Sequence, residues 1–152
     1  GWPRAAKPSG TEEAAMPDKK TLTFVIMDPP YENARTTTAL RLVDLAVRRG
    51  YNVNVFAYEG AVMVPFSKQT PHPNAVHGRD VAQEDHPIPK DWVEALLKEA
   101  EKRGSKIDWV QCGLCVDERG AAECIPGLRR GSPADLVKFA DTSDNTLVIQ
   151  TK

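Results

Sequence analysis

Short apolar, β-branched segments alternate with amphipathic helical segments along this chain. Two such segments connected through a helix form the β-α-β unit of a parallel sheet, because parallel strands need a long crossover connection. The pattern therefore predicts a three-layer α/β/α fold with a mostly parallel sheet of about five strands. The predicted strands are residues 21–27, 52–57, 107–110 and 146–150, with a short edge strand at 123–128.

The predicted helices are marked by caps and breakers as well as by periodicity. Thr36, Thr37 or Thr38 is expected to cap a first helix that Gly50 ends, and Pro89 fits the first turn of a second helix that Gly104 ends. A third helix follows Cys112 and closes at Gly120, and Ser132-Pro133 opens a fourth. Residues 60–64 are expected to form a short helical turn, and residues 65–90 a long exposed loop.

Composition limits what the domain can bind and where it acts. The chain has 152 residues, with 20 basic and 21 acidic side chains and a net charge of −1, so we expect no nucleic-acid partner and no membrane association. Three cysteines do not form a fully paired secreted framework, and we expect a cytoplasmic protein. Residues 1–20 are predicted to be a flexible tail or an expression remnant, with the native chain starting at or shortly before Met16, and residues 21–152 a single domain.

The segment around Cys112 points to a reactive thiol. Cys112 follows the apolar strand 107–110 and precedes a helix. The unpaired N–H groups and the positive dipole end of a helix N-terminus favour the thiolate, which is the nucleophilic form of cysteine. In open α/β sheets, ligands bind outside the carboxyl ends of the strands, where Cys112 is predicted to lie.

The pair Cys112-x-x-Cys115 leaves three chemistries open. It can be a redox pair, half of a zinc site, or a single nucleophile with a neighbour. A thioredoxin-like pair is expected near the start of its fold, and a zinc site needs four ligands. Cys124 with His72, His77 or His86 would complete a zinc set only with an unfamiliar spacing. Buried, inert cysteines are the competing structural interpretation.

The loop at residues 28–31, Asp-Pro-Pro-Tyr, matches the catalytic motif of amino-group DNA methyltransferases. The chain has no glycine-rich turn for their cofactor, so we interpret the motif as a proline-stiffened loop between strand and helix. Because that loop follows the first strand, Asp28 and Tyr31 are expected to line the same pocket as Cys112. Arg119 is the arginine expected to attract an anion there.

Four groups of residues together resemble the DsrE/DsrF-like sulfur-relay family, which includes TusD-like sulfurtransferase subunits. The likeness covers residues 21–150, and it depends on the order and spacing of the groups rather than on any one of them. These are the segment 25–31 with its threonine-rich helix start, the segment 55–60, Cys112 followed by Arg119-Gly120, and Gly131 before the last helix.

The resemblance implies a sulfur carrier or sulfurtransferase. Cys112 would accept sulfane sulfur as a persulfide and pass it to a partner thiol, without a metal or organic cofactor. Donor and acceptor proteins with reactive thiols are the implied partners, and trimers or hexamers, of one subunit or of related ones, the implied assembly. We expect the apolar run 61–66 to be exposed and to serve as an interface.

The chain departs from the TusD pattern in its Asp-Pro-Pro loop and in having Cys115. Cys115 could resolve the Cys112 persulfide by forming a disulfide. A non-catalytic regulatory or metal-binding subunit of the same fold is the alternative function.

Overall fold

The structure is a computed structural model that describes residues 19–151. The expectation for residues 1–20 therefore falls almost entirely outside the described residues. The sheet has five strands in the order β4-β3-β2-β1-β5, and every neighbouring pair is parallel. The elements are β1 (Thr21–Ile26), α1 (Arg35–Arg48), β2 (Asn52–Ala57), α2 (Pro89–Lys102), β3 (Ile107–Cys112), α3 (Gly113–Arg119), β4 (Arg129–Gly131), α4 (Pro133–Thr142) and β5 (Asn145–Ile149).

Helices cover both faces of the sheet, which confirms the predicted α/β/α class. Because successive side chains of a strand point to opposite faces, the inner strands contribute to two separate cores. Trp109 packs with α1 and α2 on one face, whereas Val110 and Cys112 pack with α3 and α4 on the other. Cys112 therefore belongs to the smaller core, beside Val116 and Phe139.

Helix α1 begins earlier than its threonines suggested. Its N-cap is Ala34, without a side-chain capping bond. Thr36 instead lies in the first turn and is buried, and its hydroxyl donates to the carbonyl oxygens of Asp28 and Pro29 at 3.2 and 3.1 Å. The expected threonine cap is thus wrong, and the hydroxyl of Thr36 ties the Asp-Pro-Pro loop to the helix.

The predicted edge strand at residues 123–128 is also wrong. That segment pairs with the chain after β2, through an antiparallel bridge between Phe66 and Cys124 and an Ile125 N–H bond to the Pro65 carbonyl of 3.0 Å. The edge strand β4 comes later, at Arg129–Gly131. Pro126, which the prediction had placed within an edge strand, is outside the sheet, and it has no N–H to donate to a ladder.

The apolar run at residues 61–66 is not the exposed patch that we expected. A 3₁₀ helix at Glu59–Met63 confirms the predicted helical turn. Ala61, Val62 and Val64 have no appreciable exposure, and Met63 and Phe66 are only partly exposed. The run belongs to the core, so it gives no support to an interface.

Residues 65–88 form a long connection that contains only a second, short 3₁₀ helix at Val81–Gln83. Within residues 19–151, no helix has both the length and the apolar character needed to span a membrane.

Candidate functional site

Cys112 is the last residue of β3 and the N-cap of α3. The strand is two residues longer than its apolar run because Gln111 and Cys112 continue the pairing with β2 and β4. Cys112 therefore lies at the carboxyl edge of the parallel sheet, as predicted. Its side chain is only 7% exposed, so the thiol faces the smaller core rather than open solvent.

Cys115 lies one helical turn after Cys112 and is also 7% exposed. The backbone N–H of Glu59 donates to its sulfur at 3.1 Å. Burial raises the pKa of the Cys115 thiol, and so does its hydrogen bond with Cys112, whereas the Glu59 N–H acts in the opposite direction. The Cys115 thiol is therefore harder to ionise than an ordinary cysteine thiol.

Glu59 holds this contact from an uncommon backbone conformation. Its φ is +50°, in the left-handed region that favours glycine. Gly60 follows it, and a Cβ added at Gly60 would lie 2.5 Å from Pro29 Cδ. The Glu-Gly pair thus allows the Asp-Pro-Pro loop to pack directly on the backbone beside Cys115. Strained residues of this kind cluster at functional sites.

Arg130, from edge strand β4, is the cationic side chain beside Cys112. A Cβ added at Gly113 would lie 2.6 Å from Arg130 Nε, so the guanidinium crosses the first residue of α3. Asp117 holds it with two bonds of 2.8 and 2.6 Å. The pKa of Arg130 is raised, chiefly by Asp117 and also by the charge of Cys112. Arg130 itself is exposed, and the sequence favoured Arg119 because nothing in it locates β4.

Arg119 approaches the cysteines but contacts neither sulfur. It forms an ion pair with Glu59 of 3.0 Å and donates to the Cys115 carbonyl oxygen at 3.4 Å. Asp28 is buried and accepts a 2.9 Å hydrogen bond from Asn33. Asp28, Glu59 and Arg119 line one open groove of about 440 Å³ whose wall includes neither Cys112 nor Cys115, so the expectation that Asp28 shares a pocket with Cys112 is wrong.

Tyr31 lies elsewhere, in a second cavity of about 350 Å³. Its φ is +69°, and its ring meets His72 edge-on with centroids 4.5 Å apart. Burial raises the pKa of the Tyr31 phenol, with a smaller contribution from the Glu84 carboxylate. The structure therefore separates Tyr31 from Asp28 and Arg119, although one loop carries both Asp28 and Tyr31.

Cys124 is half-buried beside Phe66 and has no part in the thiol pair. Within residues 19–151, the side chains that converge as metal ligands are Glu84, Asp85 and His86, so Cys124 does not complete a zinc set there.

The model of the DsrE/DsrF-like family matches residues 20–149. That match spans most of the chain and the whole described fold. The chain belongs to the DsrE/DsrF-like family.

Relatives of this DsrE/DsrF-like chain are known in archaea. An uncharacterized protein of Methanocaldococcus jannaschii is 31% identical over 127 residues, which cover 82% of this chain and 96% of the relative. An uncharacterized protein of Methanopyrus kandleri is 29% identical over 128 residues, covering 83% of this chain and 91% of the relative. Both relatives therefore match this chain over nearly their full length.

Solved structures support the DsrE-like fold. The crystal structure of the YchN protein from E. coli has a TM-score of 0.66 at 19% identity, covering 85% of this chain and 98% of YchN. A conserved protein of unknown function from Bacteroides thetaiotaomicron has a TM-score of 0.53 at 16% identity, and the match covers 89% of this chain and 99% of the Bacteroides protein. At these identities the likeness concerns the fold alone.

Proposed function

We propose that this protein is a cytoplasmic sulfur carrier that accepts sulfane sulfur on Cys112 and passes it to the thiol of a partner protein. Membership of the DsrE/DsrF-like family favours a role in sulfur relay. The observation that carries the proposal is the placement of two buried cysteines, Cys112 and Cys115, one helical turn apart at the carboxyl edge of the sheet, with Arg130 crossing the adjacent backbone.

The chemistry needs no metal or organic cofactor. The Cys112 thiolate attacks the outer sulfur of a donor persulfide, R–S–S⁻. The donor S–S bond breaks, R–S⁻ leaves, and Cys112–S–S⁻ forms. An acceptor thiolate then attacks the outer sulfur of this persulfide, which forms the acceptor persulfide and restores the Cys112 thiolate. No net oxidation occurs, because one sulfane sulfur moves from thiol to thiol.

Cys115 and Arg130 supply different help to this transfer. Arg130 brings positive charge to the end of α3 where the anionic persulfide forms, and Asp117 keeps its guanidinium in place. Cys115 offers an alternative outcome, because its thiolate can attack the inner sulfur of Cys112–S–S⁻. That attack releases sulfide and leaves a Cys112–Cys115 disulfide, which a dithiol reductant must reduce before the next cycle.

Leu114 supports transfer between proteins rather than release to solvent. It lies between the two cysteines and is 70% exposed, whereas both cysteines are 7% exposed. A partner that covers Leu114 would exclude water from the persulfide during transfer.

A homo- or hetero-oligomeric trimer or hexamer remains part of the proposal. Within residues 19–151, the segment 61–66 is too buried to form its interface.

Mass spectrometry of the intact protein after exposure to polysulfide tests the proposal. We expect the peptide that contains Cys112 to gain the mass of one or more sulfur atoms, and reductant to remove it. Cys112→Ser should abolish the adduct, because a hydroxyl does not ionise near neutral pH. Cys124→Ser is the matched control and should keep it.

Cys115→Ser separates the two fates of the persulfide. If Cys115 resolves it, the adduct accumulates and lasts longer in this variant; if Cys115 is a bystander, its lifetime does not change. An adduct that persists in Cys112→Ser, carried by Cys124, would refute the assignment of Cys112.

A further inference from the structure

The long connection between β2 and α2 carries all three histidines of the chain. It folds over the N-terminal end of α1 and encloses the cavity of about 350 Å³ that Tyr31 also lines. His77, Glu84, Asp85 and His86 all contribute to the wall of this cavity. The proposed sulfur chemistry uses none of these side chains.

Glu84 is the buried carboxylate of the group, with a side chain 9% exposed. Its Oε1 lies 3.0 Å from His77 Nε2 and accepts a 3.0 Å hydrogen bond from the buried Asn74 amide. Its Oε2 lies 3.4 Å from His86 Nε2. One carboxylate thus faces two imidazole nitrogens, and Asn74 fixes its orientation.

His86 is equally constrained, with a side chain 10% exposed and a ring stacked on Trp92 at a centroid distance of 4.6 Å. Its Nδ1 lies 2.8 Å from the carbonyl oxygen of Pro87. A carbonyl oxygen can only accept, so Nδ1 is the donor in this bond and Nε2 is the ring nitrogen that faces Glu84. This is the arrangement of metal-ligating histidines, whose second nitrogen donates to a carbonyl or carboxylate.

The separation of His86 Nε2 and Glu84 Oε2 fits a shared cation. Zinc binds histidine nitrogen and carboxylate oxygen at about 2.0–2.2 Å, and a tetrahedral angle then places two such ligands roughly 3.3–3.5 Å apart. The observed distance is 3.4 Å.

Asp85 supplies a further ligand from the adjacent position. One ligand atom each from Glu84, Asp85 and His86 lies within 4.8 Å of the others. Asp85 is now held by Arg41, through a contact of 2.5 Å, and is largely exposed. It can therefore turn towards a cation without opening the fold, and His77 is already in contact with Glu84.

We propose that Glu84, His86 and Asp85, assisted by His77, bind a divalent cation of the zinc class that faces this cavity. One imidazole with two carboxylates forms a nitrogen and oxygen ligand set that suits zinc and similar transition metals better than magnesium, which prefers oxygen ligands. His77 accepts from the Arg79 N–H at Nδ1 and so donates from Nε2 to Glu84, which supports this carboxylate rather than the cation. The cavity beside the ligands leaves room for water or a small anion at an open coordination position. The site is separate from the thiol pair and does not depend on the proposed sulfur transfer.

Calorimetric titration of the full chain with zinc chloride, after chelator treatment and its removal, tests this proposal. We expect one zinc ion per chain, and little or no binding of magnesium. Glu84→Gln should weaken zinc binding at least about 100-fold, since losing a support of a ligand alone costs 10–100-fold. Glu94→Gln is the matched control, because Glu94 is an exposed carboxylate paired with Lys98, and it should leave zinc binding unchanged.

Two further measurements keep the result interpretable. Asp85→Asn changes an exposed side chain, so it should fold even if Glu84→Gln does not, and it should also weaken zinc binding. Cobalt loaded in place of zinc should give the visible bands of a nitrogen and oxygen site without a thiolate charge-transfer band. Absence of zinc binding, equal affinity of Glu84→Gln and Glu94→Gln, or a thiolate band from the cysteines would each overturn the proposal.

Discussion

The backbone of Glu59 allows a direct test of the geometry around the thiol pair. Glu59 has a φ of +50° while its N–H donates to Cys115 Sγ at 3.1 Å. An L-residue in this left-handed region costs roughly 1–2 kcal/mol, whereas glycine adopts it freely but loses about 0.5–1 kcal/mol more backbone entropy on folding. We therefore compare two variants, Glu59→Gly and Glu59→Ala.

Both variants lose the same ion pair with Arg119, so that loss cancels in the comparison. The remaining difference is the left-handed strain of alanine minus the extra backbone entropy that glycine loses, so Glu59→Gly should be more stable than Glu59→Ala by about 0.75 kcal/mol, the difference between the midpoints of the two ranges. At about 2–4 °C per kcal/mol for a chain of this size, the melting temperatures should differ by roughly 1.5–3 °C. Urea unfolding provides the free energies, and thermal scans check their sign.

The same pair of variants should differ in the reactivity of Cys115. The hydrogen bond from the Glu59 N–H lowers the pKa of the Cys115 thiol, whereas burial raises it. Alanine keeps the L-residue backbone of the wild type, whereas the freer backbone of glycine loosens the N–H bond to the sulfur, so the pKa of Cys115 should be higher in Glu59→Gly than in Glu59→Ala. Peptide-resolved alkylation across alkaline pH measures this, with Cys124 as the internal reference. If Glu59→Ala is at least as stable as Glu59→Gly, the argument that a strained left-handed conformation of residue 59 positions this N–H is refuted.

Two further predictions concern the same site. The pKa of Cys115 is raised above its ordinary value of 9.0 in the folded chain, so its contribution to stability is present below pH 9 and is lost as pH rises through the folded pKa. In urea unfolding, the free energy of unfolding of Cys115→Ala should therefore fall less steeply at alkaline pH than that of the wild type. Equal slopes of this free energy against pH would contradict the prediction. Gly113→Ala places a Cβ 2.6 Å from Arg130 Nε and should displace that flexible side chain. We expect slower persulfide formation on Cys112 in a stopped-flow assay, with little change in the melting temperature. An unchanged rate would exclude Arg130 from the reaction.

Local periodicity predicted much of the fold. The limits of β2 match residue for residue, and α2 begins at Pro89 as its first-turn proline indicates. The position of Cys112 between β3 and α3 also followed from the sequence, because an apolar run that ends at a cysteine and continues into helical residues marks the edge of a parallel sheet. These features depend on neighbours along the chain, which a sequence displays directly.

The partners of the thiols could not be predicted in this way. The Glu59 N–H reaches Cys115 across 56 positions of sequence, and no side-chain pattern identifies a backbone donor. Arg130 reaches the end of α3 only because β4 pairs with β3 at Gln111, whereas Pro126 and its neighbours had suggested an earlier strand. Such contacts depend on strand order and on the path of loops, neither of which can be read from the sequence. The sequence alone therefore favours Arg119, rather than Arg130, as the arginine beside the thiols.

The same topology explains how one loop can serve two places at the edge of the sheet. Pro29 packs on Gly60 and keeps Asp28 beside Glu59. The chain then turns through the left-handed residue Tyr31, whose ring meets His72 in the other cavity. Because Thr36 anchors the loop to α1, neither end can move freely. The two sites are chemically separate, but the Asp-Pro-Pro-Tyr loop contributes residues to both, Asp28 to the groove beside Glu59 and Tyr31 to the other cavity.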